Sequence, residues 1–186
     1  MNKAVLILLV LVSFTSCKEV SFREPQPKGR RALNSIPPKL QGKYLPYQEN
    51  GELSKDTIVI MRNGYRFAYY DAVPPSNHRD DYDEGFLSDS LIVKSFRGYY
   101  FVNLYENPEW ILRVIRQERN GDLTYMAMEQ NNVDFTEYVR KLSKEIALDS
   151  VKVGDETLYH IDPTPPQLIS LIDKGFFTKT SLKKVR

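Results

Sequence analysis

The chain has 186 residues, 41% hydrophobic and 27% charged, with 26 Lys and Arg against 24 Asp and Glu. This balance excludes a disordered composition and a general nucleic-acid binder, which needs clustered basic surface. A single cysteine excludes an internal disulfide, and 12 Tyr with 9 Phe favour sheet over helix.

The first element is MNKAVLILLVLVSFTSC, residues 1–17. Lys3 supplies a positive start, Ala4 to Val12 an unbroken apolar run, and Ser13 to Ser16 a polar, mostly small-residue approach to a cleavage point. About nine apolar residues make roughly 13 Å of helix against a hydrocarbon core of roughly 30 Å, too short for a spanning anchor. Phe14-Thr15-Ser16-Cys17 resembles the lipobox of bacterial lipoproteins, with Phe14 standing where Leu is usual. The resemblance implies a signal peptide over 1–16 and a mature chain that starts at Cys17, lipidated on its sulfur and acylated on its new amine. It also accounts for an odd cysteine in an exported protein. Two or more acyl chains, at roughly 0.8 kcal/mol per buried CH2, hold a protein stably on a membrane. The competing reading is a soluble secreted protein cut near Ser16, with Cys17 a spare thiol.

Residues 17–38 read as the lipidated cysteine and a Pro-rich tether, with Pro25, Pro27, Pro37 and Pro38 around the basic run Lys28 to Arg31. Extended at about 3.1 Å per residue, such a segment holds a domain on the order of tens of ångströms off a bilayer. The basic run reads as solvated linker, or as a contact for anionic head groups. Lys18 follows Cys17 where an Asp, in many bacteria, marks inner-membrane retention, so the resemblance implies an outer-membrane location in the cell envelope. Glu24-Pro25-Gln26-Pro27, Ile36-Pro37 and Gln41-Gly42-Lys43-Tyr44 together resemble a group of uncharacterised bacterial lipoproteins with a Pro-rich start, a Gly-x-Tyr strand and a β-rich body. That group carries no established activity, so the resemblance transfers no site.

The folded body is expected over 39–186. Gly42 to Tyr47 reads as a short strand, and Asn50-Gly51 turns the chain. Thr57 to Met61 and Tyr65 to Tyr70 form a hairpin across Asn63-Gly64, whose residues tolerate positive φ. Asp71 to Gly85 reads as a long polar loop. Two more hairpins follow, Ser90–Phe96 with Tyr99–Tyr105 across Arg97-Gly98, and Glu109–Gln117 with Leu123–Glu129 across Asn120-Gly121. Asp134 then starts a helix whose apolar residues Phe135, Tyr138, Val139, Leu142 and Ile146 share one side. Val151–Val153 and Thr157–Ile161 form a further hairpin. Thr164 caps a second helix with Pro165 at its first position and Gly175 at its stop, and Phe176–Val185 reads as a last strand. The expected class is α+β: an antiparallel β meander, closing on itself like a barrel or accepting helices, with two C-terminal amphipathic helices.

Few residues point to chemistry. Asp71, Asp80, Asp81, Asp83 and Glu84 offer hard oxygen ligands for Ca²⁺, but their spacing fails the EF-hand pattern and a solvated loop is the plainer reading. His78 beside Asp80 or Asp81 has the makings of a general base, whereas His160 reads as a strand residue on a surface face. There is no H-E-x-x-H, G-x-S-x-G or phosphate loop. Gly42-Lys43-Tyr44 resembles the G-x-W opening of lipocalin-like barrels, and closure would set Tyr65, Phe67, Tyr69, Tyr99, Phe101 and Trp110 around an apolar cavity or a packed core. The sequence thus names no catalytic residue, metal ligand or cofactor. Its one site residue is Cys17, for lipidation. The expected function is a membrane-anchored envelope lipoprotein acting as a non-catalytic binding or structural module. Its partner would be the membrane through Cys17 and an envelope protein, glycan or lipid. The alternatives are a lipocalin-like carrier of an apolar ligand and an envelope hydrolase using His78.

Overall fold

A computed structural model describes residues 20–48, 50–69, 82–106, 108–128, 134–153 and 156–185. Residues 1–16, expected as a signal peptide, and Cys17, Lys18, Asp71, His78, Asp80 and Asp81 lie outside the described residues.

Among the described residues, nine strands form one antiparallel sheet. In chain order they are β2 (Gly42–Pro46), β3 (Thr57–Met61), β4 (Gly64–Ala68), β5 (Tyr82–Phe86), β6 (Leu91–Phe96), β7 (Tyr99–Glu106), β8 (Glu109–Gln117), β9 (Leu123–Ala127) and β12 (Thr178–Lys184). Their spatial order is β5-β4-β3-β2-β12-β9-β8-β7-β6. The C-terminal strand β12 is thus inserted between the two halves, pairing with β2 on one side and β9 on the other. A second sheet of three strands places β1 (Val20–Ser21) parallel to β11 (Glu156–Ile161), which pairs antiparallel with β10 (Leu148–Val153). Among the described residues the α-helices are α1 (Phe135–Leu142) and α2 (Pro165–Asp173). The class is α+β with a barrel-like meander, as expected.

The alternation in the central strands explains the two layers. On β7, Tyr100 and Phe101 are both buried but point to opposite faces. Their β8 partners Ile115 and Val114 follow, and so do Tyr125 and Met126 on β9. Phe101, Leu112, Val114, Met126 and Met128 meet α1, α2 and the small sheet through Phe135, Leu142, Leu168 and Ile172. Tyr100, Leu123 and Leu182 meet Tyr44, Ile60, Ile36 and Leu40 on the other face. Each such side chain contributes about 1.5–3 kcal/mol when fully buried. Asp134 accepts from Thr136 N at 2.9 Å at the start of α1, and Thr164 with Gln167 makes a capping box on α2. Gly175, at φ +82°, ends α2.

The largest departure from expectation is the Pro-rich segment. Residues 20–38, read as a tether, are packed along the body as a belt. Ser21 and Val20 pair with β11, and Phe22 exchanges two 2.8 Å backbone hydrogen bonds with Trp110 on β8. Gln26 then lies over Asn103 of β7. Ala32 bridges Lys94, and Leu33 N donates to Val93 O at 2.7 Å, so the belt covers the open edge of β6. Next it crosses to the other face, where Ile36 N donates to Arg62 O at 2.8 Å in the β3–β4 turn. Ile36 and Leu40 are buried there, and the buried Tyr44 hydroxyl donates to Leu40 O at 2.9 Å. The belt therefore runs from the β6 edge of the sheet to the β3–β4 turn. Its prolines suit this role because an extended strand with few N–H donors serves as a covering strand at an edge. A hollow barrel is also not what the concave face holds: Ile36, Leu40, Tyr44 and Leu182 fill it.

A second correction concerns the stretch expected as loop to Gly85. Tyr82–Phe86 is strand β5, paired residue for residue with β4. Its charges disguise it. Glu84 faces Arg66, with Oε2 accepting from Nη2 at 3.1 Å, and Asp83 accepts from the Tyr69 hydroxyl at 2.7 Å. Opposite charges directly across an antiparallel pair stabilise rather than break a strand.

Candidate functional site

Two places gather polar chemistry, and both depend on the belt. The first is buried. His160, on the middle strand of the small sheet, is 5% exposed, with Ser21 of the neighbouring β1 and Glu109 of β8 against its ring. This corrects the surface-face assignment of His160. Its Nδ1 stands 3.0 Å from Ser21 Oγ and 3.0 Å from Glu109 Oε2, and Ser21 Oγ is 3.4 Å from the same carboxylate oxygen. A serine, a histidine and a glutamate are thus together, but all three meet at one ring nitrogen. A relay that activates serine places the hydroxyl on one imidazole nitrogen and the carboxylate on the other. Here the hydroxyl and carboxylate compete for Nδ1, so the arrangement fastens β1 to β8 and β11 and does not prepare a nucleophile.

A second buried set fixes the middle of the belt. Asn103, 1% exposed, accepts from Gln26 N at 2.6 Å through Oδ1 and donates from Nδ2 to Gln26 O at 2.8 Å. One side-chain amide therefore stands in for a strand partner. The same Nδ2 reaches Ile92 O at 3.1 Å and Phe101 O at 3.2 Å. Lys94, mostly buried, donates to Pro25 O at 2.7 Å and Pro27 O at 3.2 Å, carbonyls that the belt's missing ladder leaves to be satisfied. Burial pushes the Lys94 ammonium below its ordinary 10.5, partly offset by the negative charge of Glu24.

The second place is open to solvent. Tyr105 and Trp110 face each other across the β7–β8 ladder with ring centroids 5.1 Å apart and planes at 49°. With Ser88, Asp89 and Ser90 they line a cleft of about 440 Å³ at the corner where β5 turns into β6. Trp110 is held from behind by Phe22 of the belt, while Tyr105 is 42% exposed. The Ser88–Ser90 turn is stiffened by Ser90 N donating to Ser88 Oγ at 3.2 Å and by Tyr105 N donating to Ser90 O at 2.8 Å. The cleft is lined by two aromatic residues, one carboxylate and two hydroxyls. Another cleft of about 460 Å³ is lined by Tyr47, Gln48 and Gly51 and, from β12, by Lys179, Thr180 and Ser181, and has one aromatic residue.

Of the other residues singled out by sequence, Tyr65, Phe67 and Tyr69 do not share a cavity. Tyr69 is exposed against Phe67, and Phe101 packs under the helices on the opposite side of the sheet from the filled concave face. Asp83 and Glu84 are engaged on β5, and no group of three or more His, Cys, Asp or Glu is placed to hold a metal ion among the described residues. No helix among the described residues is long and apolar enough to cross a membrane. Sequence reasoning missed Ser21, Asn103 and Glu109 because each acts through the belt, and it missed Asp89 because that residue reads as an ordinary turn. No family model, curated protein or solved structure matches the chain.

Proposed function

We propose that the protein is a lipid-anchored lipoprotein of the bacterial cell envelope, attached at Cys17 to the outer membrane, whose β-rich body is a non-catalytic binding module. The observation that carries the anchor is the pairing of the 1–17 segment with the chain's lone cysteine. The packed belt changes what that anchor does. Cys17 precedes Val20 by three residue steps, at most about 11 Å of chain at 3.8 Å per step. Val20 is fully buried. The lipid therefore holds the body against the bilayer surface instead of on a long tether.

The filled concave face, with Ile36, Leu40 and Tyr44 at its centre, favours a module over a carrier with an internal cavity. The convergence of Ser21 and Glu109 on one nitrogen of His160 favours it over a serine hydrolase built on that histidine. The test is Cys17→Ala in the full chain. The variant should leave the membrane fraction and lose labelling by a radioactive fatty acid. A variant that stays bound, beside a wild type that takes no label, overturns the anchor.

A further inference from the structure

We propose that the open cleft at Tyr105 and Trp110 is a saccharide site, taking pyranose rings whose apolar C–H face packs on this aromatic pair. The proposal rests on the binding-module reading and names its ligand class. Four features of the cleft support it. The two rings form one cross-strand pair, fixed at 5.1 Å between centroids, so the platform is preorganised by the β7–β8 ladder and not by a mobile loop. The Trp110 backbone is locked on its outer side by Phe22, and Phe22 is itself fully buried. The rim carries an exposed carboxylate, Asp89, and the hydroxyls of Ser88 and Ser90, which lie 3.0 Å apart. The depression is open to solvent and offers about 440 Å³ of space.

The rim chemistry decides the class. A carboxylate only accepts hydrogen bonds, so its ligand must bring donors. A sugar brings several hydroxyl donors beside an apolar ring face. A Pro-rich peptide, the other common guest of Tyr and Trp clefts, brings carbonyl acceptors and few donors, because proline has no N–H. Asp89 therefore suits the saccharide. An acidic ligand is disfavoured by the same carboxylate.

The site carries its own reporter, since Trp110 is the only tryptophan in the chain. The test titrates the full-length protein, purified in detergent, with cellotetraose, chitotetraose and maltotetraose while following Trp110 emission. A proline decamer serves as the peptide probe. A saturable change with at least one tetrasaccharide is expected. Tyr105→Ala and Asp89→Asn should each weaken it by about tenfold, the scale of one good contact. Both side chains are exposed, so these variants keep the fold, and unchanged melting temperatures verify that. No response to any of the three sugars overturns the proposal. So does a response to the proline decamer alone, or a sugar response that survives both substitutions. Anchoring is read separately through Cys17, so a protein that stays on the membrane yet ignores the sugars refutes this inference and leaves the anchored module standing.

Discussion

Replacing Asn103 by Leu removes the amide that holds the belt while nearly preserving side-chain volume. Two backbone groups of Gln26, its N–H and its C=O, then lose partners at 2.6 and 2.8 Å in a site where Gln26 is 1% exposed. Each buried unpaired group costs about 1–3 kcal/mol, so the expected loss is about 2–6 kcal/mol. That is a large part of the roughly 5–15 kcal/mol that stabilises a typical domain. With a urea slope near 2 kcal/mol/M, the midpoint should fall by about 1–3 M. Unfolding followed by Trp110 fluorescence measures this, and trypsin gives a local readout, because Lys28 becomes accessible once Gln26 lifts. Asn103→Asp keeps the acceptor for Gln26 N–H and loses the donor. It should be as unstable as the Leu variant at neutral pH and recover partly in acid, where a neutral carboxyl regains one O–H. A Leu variant within about 1 kcal/mol of wild type, cleaved by trypsin at the wild-type rate, would show that residues 20–38 do not hold the fold.

Three further outcomes follow from the same packing. Lys94 has a lowered pKa when folded, so the unfolded chain binds more protons between that value and 10.5. Its contribution to stability therefore rises as pH climbs toward 10.5, and the stability difference between wild type and Lys94→Met should grow in favour of wild type over that window; a pH-independent difference contradicts the burial. Gly64→Ala would set a Cβ 2.0 Å from Gly85 O across the β4–β5 ladder, so it should destabilise by several kcal/mol, as expected where backbone must shift; a melting temperature equal to wild type rules that contact out. His160→Ala removes the common partner of Ser21 and Glu109, and hydrogen exchange at the Phe22 amide should quicken by at least about tenfold, the equivalent of ~1.4 kcal/mol of lost protection; unchanged exchange would mean that β1 is held without it.

Much of the meander was legible because its signals are local. Arg97-Gly98 and Asn120-Gly121 mark turns, and the strands they join alternate visibly. Arg97 takes φ +50° and Gly98 φ +83°, the conformation such a hairpin turn demands. Thr164, Pro165 and Gly175 similarly delimit α2 by chemistry that belongs to each residue. The belt was not legible, because extended Pro-rich chain has the same local conformation in a solvated linker as over a sheet edge. What distinguishes them is distant: Val93 O, Asn103 and Arg62 O are the partners that Leu33, Gln26 and Ile36 find. The apolar residues Val20, Phe22, Leu33 and Ile36 were the available signal, too many for a tether that stays in water. Strand β5 was hidden for a related reason, since Asp83 and Glu84 look like loop until Tyr69 and Arg66 stand opposite. His160 looked exposed because the groups against its ring, Ser21 on the two-residue β1 and Glu109 on β8, are far away in sequence. The open cleft was invisible because Asp89 and Trp110 meet only through the registers of β6, β7 and β8.

The proposed lipid anchor at Cys17 lies three residue steps before Val20, which is fully buried. Mass spectrometry of the protein extracted from membranes in detergent reads that most directly. After trypsin, the N-terminal peptide should be Cys17-Lys18 carrying a thioether-linked diacylglyceryl group and an amide-linked acyl chain. A mature N-terminus at any other residue, or a Cys17 with a free thiol, would contradict it.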